Sequence, residues 1–412
     1  MKKISLVILL LLMSNFLFAQ GEAAVPFLTL PQSPFLNGAG WIGAAIPNDD
    51  ALGFYYNPAM LGYTSRTNHA SFFVMPEKSD WLKKFNLDMT FNTFGFTAGY
   101  QFSINDGKLP VSVGIGYIRN VLDYGKANRV VGEGIYLKDS YDSFNCFSVG
   151  GSLDYFVLFN AGFSIKPFYS KLSDQPLASL GSSEVSGTAF DVGLMVIAPI
   201  SKLFFNDYKM PLEGSSYFTP KANFTVGYSL TNLGKEIYYI DPAQADPIPR
   251  TARLGYSINL GFDLSIQENI INVVDYSFTV EADDILIKRD TNWNTEYQGI
   301  FGDIKPWKNL IQLEGDDDVI VHRGHILKLF ETFILTSGRF GGNDYREMRK
   351  TSGFGFSSDG IFKLLALATN NSAFEYIAKH FVIDYNEATF FVDSLFETNM
   401  SGVSLTYRNF EL

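Results

Sequence analysis

The chain is poor in the residues that usually carry chemistry or cross-links. It has one cysteine, Cys146, and four histidines among 412 residues. A single thiol excludes an internal disulfide. Cys146 sits in an alternating segment and reads as packing. His69, His322, His325 and His380 are scattered. His322 and His325 stand three apart on a strand pattern, so they point to opposite faces and do not share a metal. No Gly-x-Ser-x-Gly elbow and no phosphate loop occurs. The expectation is no catalytic residue, no metal site, no cofactor, and a protein that is not an enzyme. Basic residues are outnumbered, 32 Lys and Arg against 43 Asp and Glu. That negative balance speaks against nucleic-acid binding.

Long apolar runs are also scarce. Leu6 to Met13 follows Lys2 and Lys3 and precedes Leu17-Phe18-Ala19. These are the three parts of a secretory signal, so residues 1–19 are read as a signal peptide, with Gln20 the first residue after it. Removing Lys2 and Lys3 takes the net charge from −11 to −13. Beyond that point the best membrane-helix candidate, Ile361 to Thr369, is too short and contains Lys363. Any crossing of a membrane rests on strands.

What the chain has instead is alternation. In 93–103, Phe94, Phe96, Ala98, Tyr100 and Phe102 share one strand face. Thr93, Gly95, Thr97, Gly99, Gln101 and Ser103 share the other. About ten residues of this kind form a transmembrane β-barrel strand, apolar toward lipid and small or polar toward the lumen. The same pattern recurs around Val111–Tyr117, Phe147–Tyr155, Ala161–Ile165, Phe190–Val196, Phe224–Leu230, Leu254–Leu260 and Val274–Val280. Weaker candidates lie at 319–329, 332–340, 352–357, 380–386 and 402–410. The fold class is all-β: a transmembrane antiparallel β-barrel of about fourteen strands over residues 67–412. A soluble sandwich would also alternate, but the oily faces are unusually complete and aromatic. The outer membrane and its lipid are the expected location and surroundings. A phase switch between Met89, Phe91 and the even-numbered phenylalanines predicts a bulge near Asn92. Polar stretches at 123–141, 171–187, 202–220 and 287–316 are expected as external loops.

Residues 20–66 lack sustained alternation and hold Pro26, Pro31, Pro34, Pro47 and Pro58. They read as a small hatch of short helices and turns. Asn57-Pro58-Ala59 is a helix start, with Asn as cap and Pro at the first helical position, and it marks the hatch that would control the lumen. Phe54, Tyr55 and Tyr56 either line a hydrophobic ligand pocket or pack the hatch on the wall. Lys166, Asp191, Arg253, Asp275, Glu281, Asp283 and Arg323 fall on predicted lumen faces. They are read as an internal ion-pair network, the alternative being guidance for a charged substrate.

Several of these segments resemble a known family. Pro26-Phe27-Leu28, Asn37-Gly38-Ala39-Gly40, and Asp49-Asp50-Ala51 leading to Tyr56-Asn57-Pro58-Ala59-Met60-Leu61 resemble the start of PorV/PorQ-family proteins, part of the FadL-like outer-membrane superfamily. Gly227 to Gly234, and Pro247-Ile248-Pro249-Arg250 with Arg253-Leu254-Gly255-Tyr256, are similar to the family's middle. The resemblance implies a barrel of about fourteen strands with an N-terminal hatch. It implies a role in protein export or surface attachment of the type IX secretion kind, with secretion subunits or exported proteins as partners. The alternative it allows is a FadL-like transporter, with a hydrophobic small molecule as ligand. An interrupted wall and an oily pocket behind the hatch would favour transport. A large open mouth with ordered external loops would favour export.

Overall fold

The computed structural model describes residues 23–411 apart from 86–87, 106, 132–133, 173–182, 206–207, 213–215, 240, 267–268, 290–294 and 343–344. The signal-peptide reading lies outside the described residues. Fourteen strands form the wall. They are β1 His69–Val74, β2 Thr90–Ile104, β3 Leu109–Val131, β4 Gly134–Tyr155, β5 Val157–Lys171, β6 Glu184–Ala198 and β7 Tyr217–Leu233. Then follow β8 Thr251–Ile266, β9 Asn269–Ile285, β10 Val319–Leu329, β11 Phe333–Gly342, β12 Tyr345–Ser357, β13 Phe381–Phe390 and β14 Thr398–Arg408.

Each strand pairs antiparallel with the next. β1 closes the ring by pairing with both β2 and β14: His69 lies opposite Gly99 on one side and Arg408 on the other. Closure leaves no sheet edge, which is the condition for a backbone to sit in lipid. Two short strands, Ser79–Asp80 and Met210–Pro211, attach at its margins. Among the described residues no helix is long and apolar enough to cross a membrane. The outer faces carry exposed Phe72, Phe94, Val113, Phe147, Phe163, Leu194, Val226, Ile258, Leu335, Phe354 and Leu405. This band of large apolar groups is what a bilayer covers. The chain is an outer-membrane β-barrel.

Three expectations change here. β2 pairs with β3 without a break from Thr90 opposite Asp123 to Ile104 opposite Leu109, so there is no bulge at Asn92. Phe91 instead faces inward and is buried against Trp81, ring centroids 5.7 Å apart. The lumen there is apolar, so a phenylalanine suits the inner face. Second, 202–220 does not join the other long loops. Antiparallel strands alternate direction, which puts the β6–β7 connection on the rim of the short turns 105–108 and 330–332. Short turns mark the periplasmic rim of such barrels. The other three stretches lie toward the opposite, external rim, and 123–141 is there the paired ends of β3 and β4, not the loop expected, because its residues continue the β-ladder from Lys126 opposite Asp139 to Val131 opposite Gly134.

Third, Arg323 points outward. Its neighbours Ile320 and His322 sit opposite Asp283 and Glu281 on the lumen side, so Arg323 has the other parity. The segment after β9 explains this. The described residues of 286–318 fold back over the outside of the wall. Leu286, Ile304 and Leu310 bury the outward Leu230, Ala252, Val280, Ala282 and Val321. The Tyr228 hydroxyl donates to the Ile300 carbonyl, and its ring lies 5.1 Å from Phe301. We call this segment the strap.

Candidate functional site

Residues 23–68 run through the lumen. Their elements are too short to stand alone: a helix of one or two turns is unstable without packing. Helix α1, Pro34–Gly38, is started by Ser33, whose Oγ accepts from the Leu36 amide at 3.1 Å. A 3₁₀ turn covers Gly53–Tyr55, and helix α2 covers Met60–Thr64. Phe27, Leu36, Ile42, Leu52, Phe54, Met60 and Leu61 are all buried. The wall supplies the other half of this core.

On the β2–β6 side the wall is made of glycine. Gly99 lies opposite Gly114, Gly114 opposite Gly150, Gly150 opposite Gly162, and Gly162 opposite Gly193. Five strands thus carry one continuous glycine row facing inward. The hatch backbone lies against it. A Cβ on Gly162 would sit 2.2 Å from the Pro58 carbonyl oxygen, and one on Gly193 would sit 1.9 Å from Asn57 Oδ1. Only glycine allows so close an approach of two backbones.

Asn57 seats in that cradle. Its Oδ1 accepts from the Ala59 amide at 3.0 Å, and its Nδ2 donates to Ala44 at 2.7 Å and to the wall carbonyls of Leu194 at 3.2 Å and Tyr228 at 3.4 Å. The α-helix begins at Met60, later than Pro58, because Asn57 bends the chain as a turn and ties it to the wall. Phe54 packs its ring over Gly116. Tyr55 stacks on Phe144 at 5.4 Å and donates to the Leu28 carbonyl at 2.6 Å. The Tyr56 hydroxyl donates to Asn37 Oδ1 at 2.9 Å and accepts from the Gln32 and Ser33 amides. Burial pushes both tyrosine hydroxyls well above their usual range, so both remain protonated donors.

The inward charges form two clusters. In the first, Lys166 Nζ lies 3.0 Å from Asp191 Oδ1 and donates to Asn232 Oδ1 at 2.5 Å. The Asn232 amide donates to the same Asp191 carboxylate at 2.8 Å. Asn232 has φ 57°, and the β6–β7 register shifts beside it, between Phe190 and Val192. In the second cluster Arg253 bonds Asp283 and lies 3.8 Å from Glu281. His322 Nε2 stands 3.2 Å from Asp283, and its Nδ1 is 2.9 Å from the Gly40 carbonyl. Glu281 accepts hatch amides: Gly43 at 3.0 Å and Ala45 at 2.8 Å. A fully buried carboxylate is stable only with such partners.

Of the seven charges read from the pattern, Lys166, Asp191, Arg253, Glu281 and Asp283 meet in these clusters. Asp275 stands apart, accepting from Asn259 at 2.8 Å. Arg323 is outside. His322, Asn232 and Trp41 are the members the pattern did not single out. Arg253 donates to the Trp41 carbonyl at 2.9 Å and lies over its ring at 5.5 Å. Asn232 lies within the family-like segment 227–234, which was the available signal.

Between the clusters is a cavity of about 180 Å³. Trp41, Tyr55 and Tyr56 line it from the hatch, and Lys166, Asn232 and Arg253 from the wall. Its surface is mainly apolar, with a cation on each side.

No family model and no curated protein matches the chain. Similar solved structures include the Pseudomonas putida toluene transporter TodX, at 10% identity and TM-score 0.40 over 92% of this chain and 98% of that one. CymD, a monoaromatic hydrocarbon channel, is 11% identical with TM-score 0.35, over 92% and 97%. The translocator domain of the Neisseria meningitidis autotransporter NalP is 11% identical with TM-score 0.33, over 83% and 87%. These are likenesses of barrel shape at low identity.

Proposed function

We propose that this barrel carries small hydrophobic molecules across the outer membrane. The observation behind this reading is the cavity between hatch and wall. An engineered protein cavity of about 150 Å³ takes up benzene, so a space of about 180 Å³ holds a molecule of one ring. Trp41, Tyr55 and Tyr56 with Leu28, Ile285 and Ile320 give it apolar surface, beside the polar and charged groups of Lys166, Asn232, Arg253, Asp283 and several hydroxyls. The β6–β7 register shift adjoins it, at the Asp191–Asn232 contact. That irregularity offers a place for a ligand to leave sideways into the bilayer, while the hatch blocks the straight path. The export reading rests on the resemblance, and no feature of the lumen adds to it.

Binding is measured by the fluorescence of Trp41 in the full barrel, titrated with toluene. Wild type is expected to show a saturable change that Trp41→Phe loses. Tyr55→Trp, which enlarges a side chain facing the cavity, is expected to bind at least about tenfold more weakly. Liposomes containing the barrel should take up the same probe faster than empty ones. Absence of saturable binding in wild type would refute the proposal.

A further inference from the structure

The outer wall carries an unusual row of cations. Arg323 on β10 lies directly opposite Arg339 on β11, and Arg339 lies directly opposite Lys350 on β12. All three point away from the lumen: their strand neighbours His322, Phe340 and Thr351 are buried on the inner side. Arg339 and Lys350 are exposed and Arg323 is half-buried. Directly opposed side chains on one face stand about 5 Å apart at Cβ, and like charges there repel. A relieving carboxylate is expected, and none lies within ion-pair distance of the three among the described residues. Among the described residues the Arg323 guanidinium donates to the Leu313 carbonyl of the strap, and its Nε is buried with no partner there.

The position on the wall identifies the missing anion. Two residues along each strand toward the turn rim come His325, Ser337 and Ser352, and two further come Leu327, Leu335 and Phe354. Leu335 and Phe354 belong to the exposed apolar band. Four residues of strand span about 13 Å. The cations therefore stand beyond the exposed Leu335 and Phe354, toward the rim of the long loops. Cations next to a bilayer attract anionic headgroups, and arginine matches a phosphate with two parallel donors.

We propose that Arg323, Arg339 and Lys350 form a binding site for the phosphate of an outer-leaflet lipid. The lipid's chains lie along Leu335 and Phe354, and its phosphate bridges the cations that would otherwise repel. The site is on the outside of the wall and is independent of the lumen cavity.

The test uses the full barrel in detergent, titrated with bisphosphorylated lipid A and with the same lipid stripped of phosphate, read by native mass spectrometry. Wild type is expected to prefer the phosphorylated lipid. Arg339→Gln with Lys350→Gln should bind it about thirtyfold more weakly, each surface cation being worth about a factor of five. Lys108→Gln with Lys202→Gln removes equal charge at the opposite rim and should leave binding unchanged. Heat-modifiable gel migration verifies that each variant is folded. Equal binding of the two lipids by wild type, or unchanged binding by the folded R339Q/K350Q variant, would overturn the site. Competition by inorganic phosphate at the lipid's own concentration would overturn the lipid assignment in favour of a free-anion site.

Discussion

Strands β2 to β6 and strands β8 to β10 present opposite kinds of surface to the same hatch. The first side is a row of glycines against which the hatch backbone lies with no room for a Cβ. The second is a set of buried charges, with Glu281 gripping the amides of Gly43 and Ala45. Shape dominates the first side, whose buried ion pair is Lys166 with Asp191, and charge dominates the second, where Gly324 also meets the Ala39 carbonyl closely. The difference matters because the two contacts fail differently. Dispersion contacts across a glycine row are many and individually weak, and they do not respond to pH or salt. A buried ion cluster is a small number of strong contacts, each conditional on its partners. The cavity lies where the two kinds of surface meet, with Lys166 and Arg253 on its borders. If the hatch shifts to pass a ligand, the charged side is where a discrete change of partners is available.

The strongest way to break the comparison is to remove the anion. Glu281→Ala strands Arg253 near a single remaining carboxylate and leaves two hatch amides without acceptors. Breaking a buried pair from one side costs about 3–5 kcal/mol. The expected result is a folded barrel whose hatch is cut by protease in detergent, while wild type is protected. Adding Arg253→Leu should not restore protection, because Asp283, the closer partner of Arg253, is then left with His322 alone. A double variant as damaged as the sum of the singles would show that the two residues do not act as a unit.

The glycine side is expected to give a smaller effect of another kind. Gly162→Val pushes methyl groups into the Pro58 peptide, and overpacking of this sort costs about 1–3 kcal/mol. Its effect on hatch protection should be the same at low and high salt, whereas that of Glu281→Ala should vary with salt as solvent reaches Arg253. A salt-dependent Gly162→Val phenotype would erase the distinction between the two sides.

These contrasts bear on what was legible beforehand. The outward alternation was readable because lipid demands apolar groups on one face and the hatch tolerates small ones on the other. The five row glycines stood in those patterns as the small face, so their presence was visible, but their alignment depends on register. Parity failed where both faces are covered. β10 has Val319 and Val321 under the strap and Ile320 and Ile326 against the hatch. With apolar residues at both parities nothing in the sequence says which way Arg323 points. Phe91 misled for the same reason. The cluster members His322 and Trp41 were hidden because a lone His or Trp has no spacing to read. Their partners come from segments hundreds of residues apart.

Asn57 tests the seam between the two sides. A lost cap alone would cost about 1 kcal/mol. In the barrel its side chain also bonds Ala44 and reaches two wall carbonyls, so Asn57→Ala removes the donor for a buried hatch carbonyl as well. The expectation is about 2 kcal/mol, seen as partial loss of hatch protection without loss of barrel assembly. Asn57→Asp, which keeps the acceptor for Ala59 but not the donor, should be no better than alanine. Full protection in Asn57→Asp would mean that the turn matters and the wall contacts do not.

The smallest effect is expected outside the lumen, where the strap meets the wall. Lys288 Nζ lies 2.5 Å from Asp303, and Gln298 donates to the same carboxylate at 3.2 Å. The Lys288 hydrogen bond holds the Asp303 carboxyl below the usual carboxylate range, against a smaller opposing effect of burial. A carboxylate with a depressed folded value contributes stability above its unfolded value, near about 4, and loses that contribution as pH falls through the folded value. The pair is largely in water, so the contribution is small. Its local sign is still measurable. The Asp303 amide donates to Asp284 Oδ2 at 2.5 Å, so its hydrogen exchange reports strap opening. Asp303→Asn should speed that exchange relative to wild type at about pH 6, and the gap should close at about pH 2, where the wild-type carboxyl is protonated too. The hatch amides of Gly43 and Ala45 should exchange alike in both proteins throughout. A change there would mean that the strap communicates with the charged side of the lumen through the wall that separates Ala282 from Glu281.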